Sequence, residues 1–381
     1  MFIKSILAIL VALSIGACGG GSNSSDEVAT ATGQFKDSNT TGISYLSGGQ
    51  SGVTGLDGSF TYEVGKTVTF SIGGVTLGTS NGKSIVTPVD LVSGGSSSSV
   101  AVQNIVRFII MLDDDGDPSN GIIISSSIQA IAKTWTQIDF SAADLSAELA
   151  SIISDATSVD SRTHRLPGAS TAKVHLETTL LCSYAGAFKG TFTGDDNGNF
   201  GVLIDASNGK VAGVAYSSQY DEYMGIRGTT PISYDQNVTF VSGNTTTGAT
   251  FSGQFTSVNV VTGTWQNSST SGSGTISGSR VGGAIDATYR FTGNYTGNDL
   301  GLFSLDVNSS NNVTGVSYSI ANDELLTVSG TVSGATLTAT ASDGTIITGA
   351  LNTETGGLSG TWDSLAEGLS GSFSGSGCQL N

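Results

Sequence analysis

Basic residues are scarce in this chain: 14 Lys and Arg stand against 31 Asp and Glu in 381 residues, a formal net charge of −17. No basic cluster offsets that balance, so nucleic acid and anionic lipid headgroups, both bound by Lys and Arg, are poor partners. Histidine is rarer still. His164 and His175 lie eleven residues apart, flanked by Arg162, Arg165 and Lys173, without the spacing of a zinc motif. They read as a surface histidine on a linker and another on a helix, and a Ser-His-Asp or Cys-His nucleophile is not expected. There are only three cysteines, Cys18, Cys182 and Cys378. Long apolar runs are missing too. The single one, Ser5 to Ile15, is shorter than the roughly 20 residues that a spanning helix needs.

What is present begins with an address. Lys4 precedes that short run, which closes on Ile15-Gly16-Ala17-Cys18. The sequence resembles the lipobox of bacterial lipoproteins. The resemblance implies that residues 1–17 are a signal peptide and that Cys18 becomes a lipid-modified first residue, with palmitate or another acyl chain as the membrane anchor. Residues 18–32 open on Gly19-Gly20-Gly21-Ser22 and read as a flexible tether. Gly19 stands where an Asp would favour retention at the inner membrane, so the resemblance implies an outer-membrane address. Whether the protein faces the periplasm or the cell surface is left open.

Glycine is abundant, at 54 residues, yet the chain does not read as disordered, because aromatic and β-branched residues alternate with the small ones. The fold class expected is mainly β. Residues 33–92 read as short strands, among them Ser59 to Tyr62 and Val68 to Ile72, joined by turns such as Asp57-Gly58. With Asp37-Ser38 and Gly42-Ile43-Ser44-Tyr45, this stretch resembles the small β-sandwich of carboxypeptidase-regulatory-like domains. Residues 93–181 change period. Val102, Ile105, Phe108, Ile109 and Leu112 form one stripe of a helix over 100–112. Further helices are expected over 141–154, with Ser141 as N-cap, and over 169–181. This makes a helical subdomain with an acidic loop.

The remainder repeats itself. Phe188, Gly190, Phe192 and Gly194 match Phe291, Gly293, Tyr295 and Gly297 at an offset of 103. Val211, Gly213 and Tyr216 match Val313, Gly315 and Tyr318 at 102, while Trp265 matches Trp362 at 97. Ordered matches with a drifting offset indicate a tandem duplication, over 182–283 and 284–381. Each unit reads as eight antiparallel strands forming a barrel or a sandwich. Large and small inward residues alternate, as in the taper of a small barrel. The polar outer face argues against a transmembrane barrel. The units resemble the lipocalin-like barrels of surface lipoproteins related to transferrin-binding protein B.

Two further expectations concern crosslinks and cations. With Cys18 acylated, Cys182 and Cys378 remain for a disulfide in an oxidising compartment. That bond would lie at a shared strand end if the strand after Cys182 and the strand before Cys378 were antiparallel neighbours. Asp113, Asp115 and Asp117 have the one-three-five spacing of a calcium loop after a helix, with Asn120 as a further ligand. Pro118 stands where a calcium-binding EF-hand places glycine, and Ile124 where it places Glu, so the alternative is a solvated acidic turn. Asp195-Asp196-Asn197-Gly198 and Asn298-Asp299 read as hairpin turns. Trp265 and Trp362 fall on the inward face, which favours a core role over a sugar platform. Exposed Tyr220 and Tyr223 are the more plausible contacts, in loops over 220–230 and 322–326 that differ between the copies. The functional expectation is a membrane-tethered, non-enzymatic binding or structural module for a protein or glycan ligand. The alternative is a glycan hydrolase working through a carboxylate pair.

Overall fold

The computed structural model describes residues 28–230, 240–283, 287–320, 322, 324–352 and 356–380. The leader, Cys18 and the glycine stretch behind it lie outside the described residues. The chain enters through β1 (Thr30–Phe35), so ordered strand begins inside the stretch read as tether. There follow β2 (Thr40–Thr41), β3 (Ser44–Ser47), β4 (Gln50–Val53), β5 (Ser59–Glu63), β6 (Thr67–Ile72), β7 (Val75–Asn81) and β8 (Ile85–Val86). They form two small sheets, in the orders β5-β1-β8 and β4-β3-β6-β7. Phe35 and Phe60 on one sheet meet Phe70 on the other, with ring centroids 4.9 and 5.0 Å apart. That aromatic contact is what clamps sheet to sheet.

Helix α1 (Val100–Met111) buries the expected stripe. Asn104 lies on the same face, and its buried amide is satisfied by donating to the carbonyls of Phe140 and Ala142, both at 2.9 Å. Strand β9 (Ile122–Ile123) then pairs in parallel with β2, which brings the acidic loop back against residues 37–41. Next come α2 (Ser126–Ile131), α3 (Ser146–Val159) and α4 (Ala169–Tyr184). Helix α3 starts four residues later than the Ser141 cap predicts, with Leu145 in the cap position. Ser141 instead closes a turn on the Asp139 carboxylate, while Asp144 takes the backbone N–H of Ser146 at 2.9 Å. Sheets and helices share a single hydrophobic core that runs from Phe35 through Phe108 to Leu180.

Both repeats close into eight-stranded antiparallel barrels. The first comprises β10 (Gly186–Gly194), β11 (Gly198–Ile204), β12 (Lys210–Ser217), β13 (Glu222–Thr229), β14 (Phe240–Thr245), β15 (Thr250–Ser257), β16 (Val260–Asn267) and β17 (Gly272–Val281). The second comprises β18 (Ala287–Gly297), β19 (Gly301–Asn308), β20 (Asn312–Ser319), β21 (Glu324–Ser333), β22 (Thr336–Ala341), β23 (Ile346–Asn352), β24 (Gly357–Ser364) and β25 (Leu369–Gln379). The stretch expected to be a loop over 220–230 is thus mostly strand β13. Closure follows from the alternation. Phe188, Phe192, Phe255 and Val261 turn inward and are buried, whereas Thr191, Thr193, Thr262 and Thr264 face water. Glycine makes room for the inward rings. A Cβ on Gly198 would stand 2.8 Å from the Phe192 ring, and one on Gly301 would stand 2.6 Å from the ring of Tyr295, the matching residue.

Helix α4 ends where the two barrels meet. Its last carbonyls, which no helical N–H can reach, take guanidinium donors from each barrel. Arg280 of β17 donates to Ser183 at 2.8 Å and to Ala185, and Arg290 of β18 donates to Ala185 at 3.1 Å. Arg290 is also held bidentate by Asp306 at 2.8 and 2.9 Å, and both are buried. Beside them Cys182 is bonded to Cys378, with Cα atoms 5.7 Å apart. The expected pair of cysteines is linked, but not at a shared strand end. Cys182 sits on α4, and Cys378 sits on β25 opposite Arg290. The bond therefore ties the helix to the second barrel, while β10 closes on β17 instead.

Candidate functional site

Eight strands enclose a lumen just wide enough for side chains or for one small ligand. At the α4 end of the first barrel, Tyr184, Phe188 and Phe255 fill it, with centroids 5.0 and 5.4 Å apart. Toward the other end the lumen opens into a cavity of about 570 Å³, lined by Phe192, Val211, Ala215, Met224, Ile226 and Trp265 among others. The second barrel repeats this, with Phe291 fully buried at its floor. Its cavity of about 560 Å³ is lined by Phe303, Leu305, Val328, Ala341, Ile347 and Trp362 among others. Both volumes fall in the range of small-molecule pockets.

The two tryptophans do face inward, as their alternation predicts, but they line open space rather than a filled core. Each uses its single polar atom on the wall. Trp265 Nε1 donates to the Thr193 carbonyl at 3.1 Å, and Trp362 Nε1 donates to that of Thr296, also at 3.1 Å. The ring edges meet Phe192 and Tyr295, with centroids 6.2 and 5.9 Å apart, leaving the apolar remainder of each indole to the cavity.

Carboxylates gather at the open ends. Ser217 Oγ donates to Asp196 at 2.7 Å and faces Glu222 across the β12–β13 pair. Ser319 Oγ donates to Asp299 at 3.1 Å and faces Glu324 across the β20–β21 pair. The same serine–aspartate–glutamate arrangement thus stands at both mouths. The second mouth adds Asp343 and Glu367, and Tyr295 donates its hydroxyl to Asp299 at 3.2 Å. Burial, followed by the Asp299 charge, pushes the Tyr295 hydroxyl well above the usual phenol range, so it stays a donor. The Asp195–Asp196 and Asn298–Asp299 turns are therefore turns and cavity rim at once. Tyr220 lines the first mouth and is exposed, whereas Tyr223 packs at a tilt against Tyr216 with centroids 5.0 Å apart and does not line the cavity.

The acidic loop after α1 is ordered from within. Asp115 accepts from the backbone N–H of Asp117 and from Asn120 Nδ2, each at 2.8 Å. Asp117 turns to Ser119, accepting from its N–H at 3.1 Å and its hydroxyl at 2.6 Å. The carboxylates brought together are those of Asp113, Asp114 and Asp115, which offer oxygens within 4.8 Å of one another. Asp113 is fully buried. Its Oδ1 accepts from Ile123 N–H at 2.9 Å, and its Oδ2 has no hydrogen-bond partner. Burial and the neighbouring Asp115 push its pKa up to about 7.

His164 is not at the surface, and His175 is half-buried on α4. His164 is buried, with Nδ1 2.6 Å from the Met111 carbonyl at the end of α1 and Nε2 3.0 Å from Asp160. Its segment reads as linker because its neighbours are charged, yet Arg162 serves the same helix end, donating to Met111 and Asp113 carbonyls at 2.8 and 2.7 Å. His175 Nε2 lies 3.4 Å from both Ser38 Oγ and Asp37 Oδ1. A nucleophile relay needs the acid and the serine on opposite ring nitrogens, and here both meet the same one.

No protein-family model matches the chain, and no curated protein matches it. Two solved structures share some of its outline. A mutant of the vaccine antigen transferrin-binding protein B from Haemophilus parasuis is 10% identical over 51% of this chain and 76% of that one, with a TM-score of 0.20. A protein of unknown function from the DUF3598 family of Nostoc punctiforme is 9% identical over 53% of this chain and 98% of that one, with a TM-score of 0.17. The likeness is slight. The barrels rest on their own strand pairing, and what the cavities do rests on their own lining.

Proposed function

We propose that this protein is a non-enzymatic binding module of the cell envelope, tethered through a lipid on Cys18, whose two barrels each take the apolar part of a ligand. The observation that supports this reading is the pair of open, mostly apolar cavities of about 570 and 560 Å³ at equivalent places in the duplicated units. An open lumen forfeits packing contacts that a ligand would restore. Filling each lumen in turn tests the reading. Ala215→Trp and Ala341→Trp each insert an indole into one cavity. Titration with the neutral probe N-phenyl-1-naphthylamine should give two sites in the parent, one in either variant and none in the double variant. Unchanged stoichiometry in both variants would overturn it. For the tether, Cys18→Ser should move the protein from the membrane fraction to the soluble one.

The mouth acids also favour a second reading, a glycan hydrolase, because a carboxylate pair beside an aromatic wall is what that chemistry uses. Turnover of a glycan panel, abolished by Glu222→Gln together with Glu324→Gln, would replace the binding reading with that one.

We further propose that the loop after α1 takes a calcium ion on Asp113, Asp114 and Asp115. Support comes from the buried Asp113 Oδ2, which lacks a partner, beside two more carboxylates. Millimolar calcium should raise the melting temperature of the parent but not that of an Asp113→Asn, Asp115→Asn variant. Equal calcium responses in parent and variant would return the loop to a solvated turn.

A further inference from the structure

Among the described residues, the charge lining the cavities is all of one sign. Asp195, Asp196 and Glu222 line the first, and Asp299, Glu324, Asp343 and Glu367 line the second. The bulk acidity of the chain does not account for this by itself, because the barrels do carry positive residues: Lys189, Lys210, Arg227, Arg280 and Arg290. All five lie outside both linings. Arg280 and Arg290 are spent at the floor end on the α4 carbonyls, and Lys189 sits 5.6 Å over the Tyr318 ring. Acids hold both mouths and no base does, whereas the acids at the other end, Asp205 and Asp306, have Lys210 and Arg290 beside them.

A lumen that is apolar inside and anionic at its lip selects for a complementary shape. The ligand's body is aliphatic or aromatic, to displace water from Val211, Ile226 and Trp265 or from Leu305, Val328 and Trp362. Its exposed end must meet two or more carboxylates. A fatty acid or other anion would bring like charges together there, whereas an ammonium would find both opposite charge and ring faces. We infer that the barrels bind cationic amphiphiles, molecules with one protonated or quaternary amine on an apolar body, and this rests on the binding reading above. The second mouth, with four acids and the Tyr295 hydroxyl, holds the charged end more strongly. The first cavity, more apolar in its lining, holds the body more strongly.

Three probes of equal chain length separate head-group charge from apolar body: decyltrimethylammonium and decanoate below their micelle concentrations and decanol below its solubility limit, each titrated into the full chain by calorimetry. The ammonium should bind at least about tenfold more tightly than the alcohol, with decanoate weakest. Raising salt from about 50 to about 500 mM should weaken the ammonium and leave the alcohol unchanged, since only the former depends on exposed charge. In a variant carrying Asp196→Asn, Glu222→Gln, Asp299→Asn and Glu324→Gln, the preference should fall toward parity while decanol still binds. The salt series on the unmodified chain keeps the test decisive should that variant misfold. Equal binding of ammonium and alcohol by the parent would overturn the charge inference and leave the binding reading standing. Binding of none of the three would overturn both.

Discussion

At the residue scale, Asp37 is a group whose burial is costly. It is fully buried and neither carboxyl oxygen has a hydrogen-bond partner, although His175 Nε2 lies 3.4 Å from Oδ1. Burial raises its pKa well above the ordinary 3.8, and burial likewise lowers that of His175, so both are favoured neutral. The sign follows from linkage. A carboxyl that holds its proton more tightly when folded contributes stability that is fully present below about pH 4 and lost as pH rises through the folded value. Replacing Asp37 by Asn removes that slope. Urea unfolding at pH 4 and pH 8 should show the variant gaining about 1–3 kcal/mol on the parent between the two. A gap independent of pH would mean that Asp37 has a partner in solution.

At the scale of elements, the junction under the barrels concentrates the interactions that position the sites. Arg290 is buried, bidentate to Asp306, and joined to the end of α4. Arg290→Met keeps the volume but leaves Asp306 without its guanidinium, and should cost about 3–5 kcal/mol by denaturant unfolding. A loss below about 1 kcal/mol would show the pair to be replaceable. The barrels themselves were legible in the sequence, because alternation of Phe188, Gly190, Phe192 and Gly194 fixes a face, and its recurrence at Phe291 to Gly297 fixes a second copy. Their closure was left open, since barrel and sandwich share that alternation. The start of α3 was misplaced because Ser141 has the side chain of a cap but spends it on Asp139. The burial of His164 was hidden for a different reason: its partner, the Met111 carbonyl, lies 53 residues away. The cavities were hidden as well. Whether a lumen is full or open depends on summed side-chain volume across eight strands, which no single strand displays.

At the scale of the whole molecule, one bond governs how the chain carries load. Cys182 and Cys378 are 196 residues apart in sequence, and both barrels lie between them. Tension entering ahead of Cys182 and leaving after Cys378 would pass from α4 straight into β25 and bypass every strand of the first barrel. Pulled from its two ends, the oxidised protein should therefore pay out only the segment before Cys182, with the barrels held slack. Reduction should add roughly 700 Å of extensible chain, at about 3.5 Å per residue. In a shearing environment the crosslink would thus act as a mechanical shunt, letting the N-terminal half yield like a spring while both barrels keep their shape.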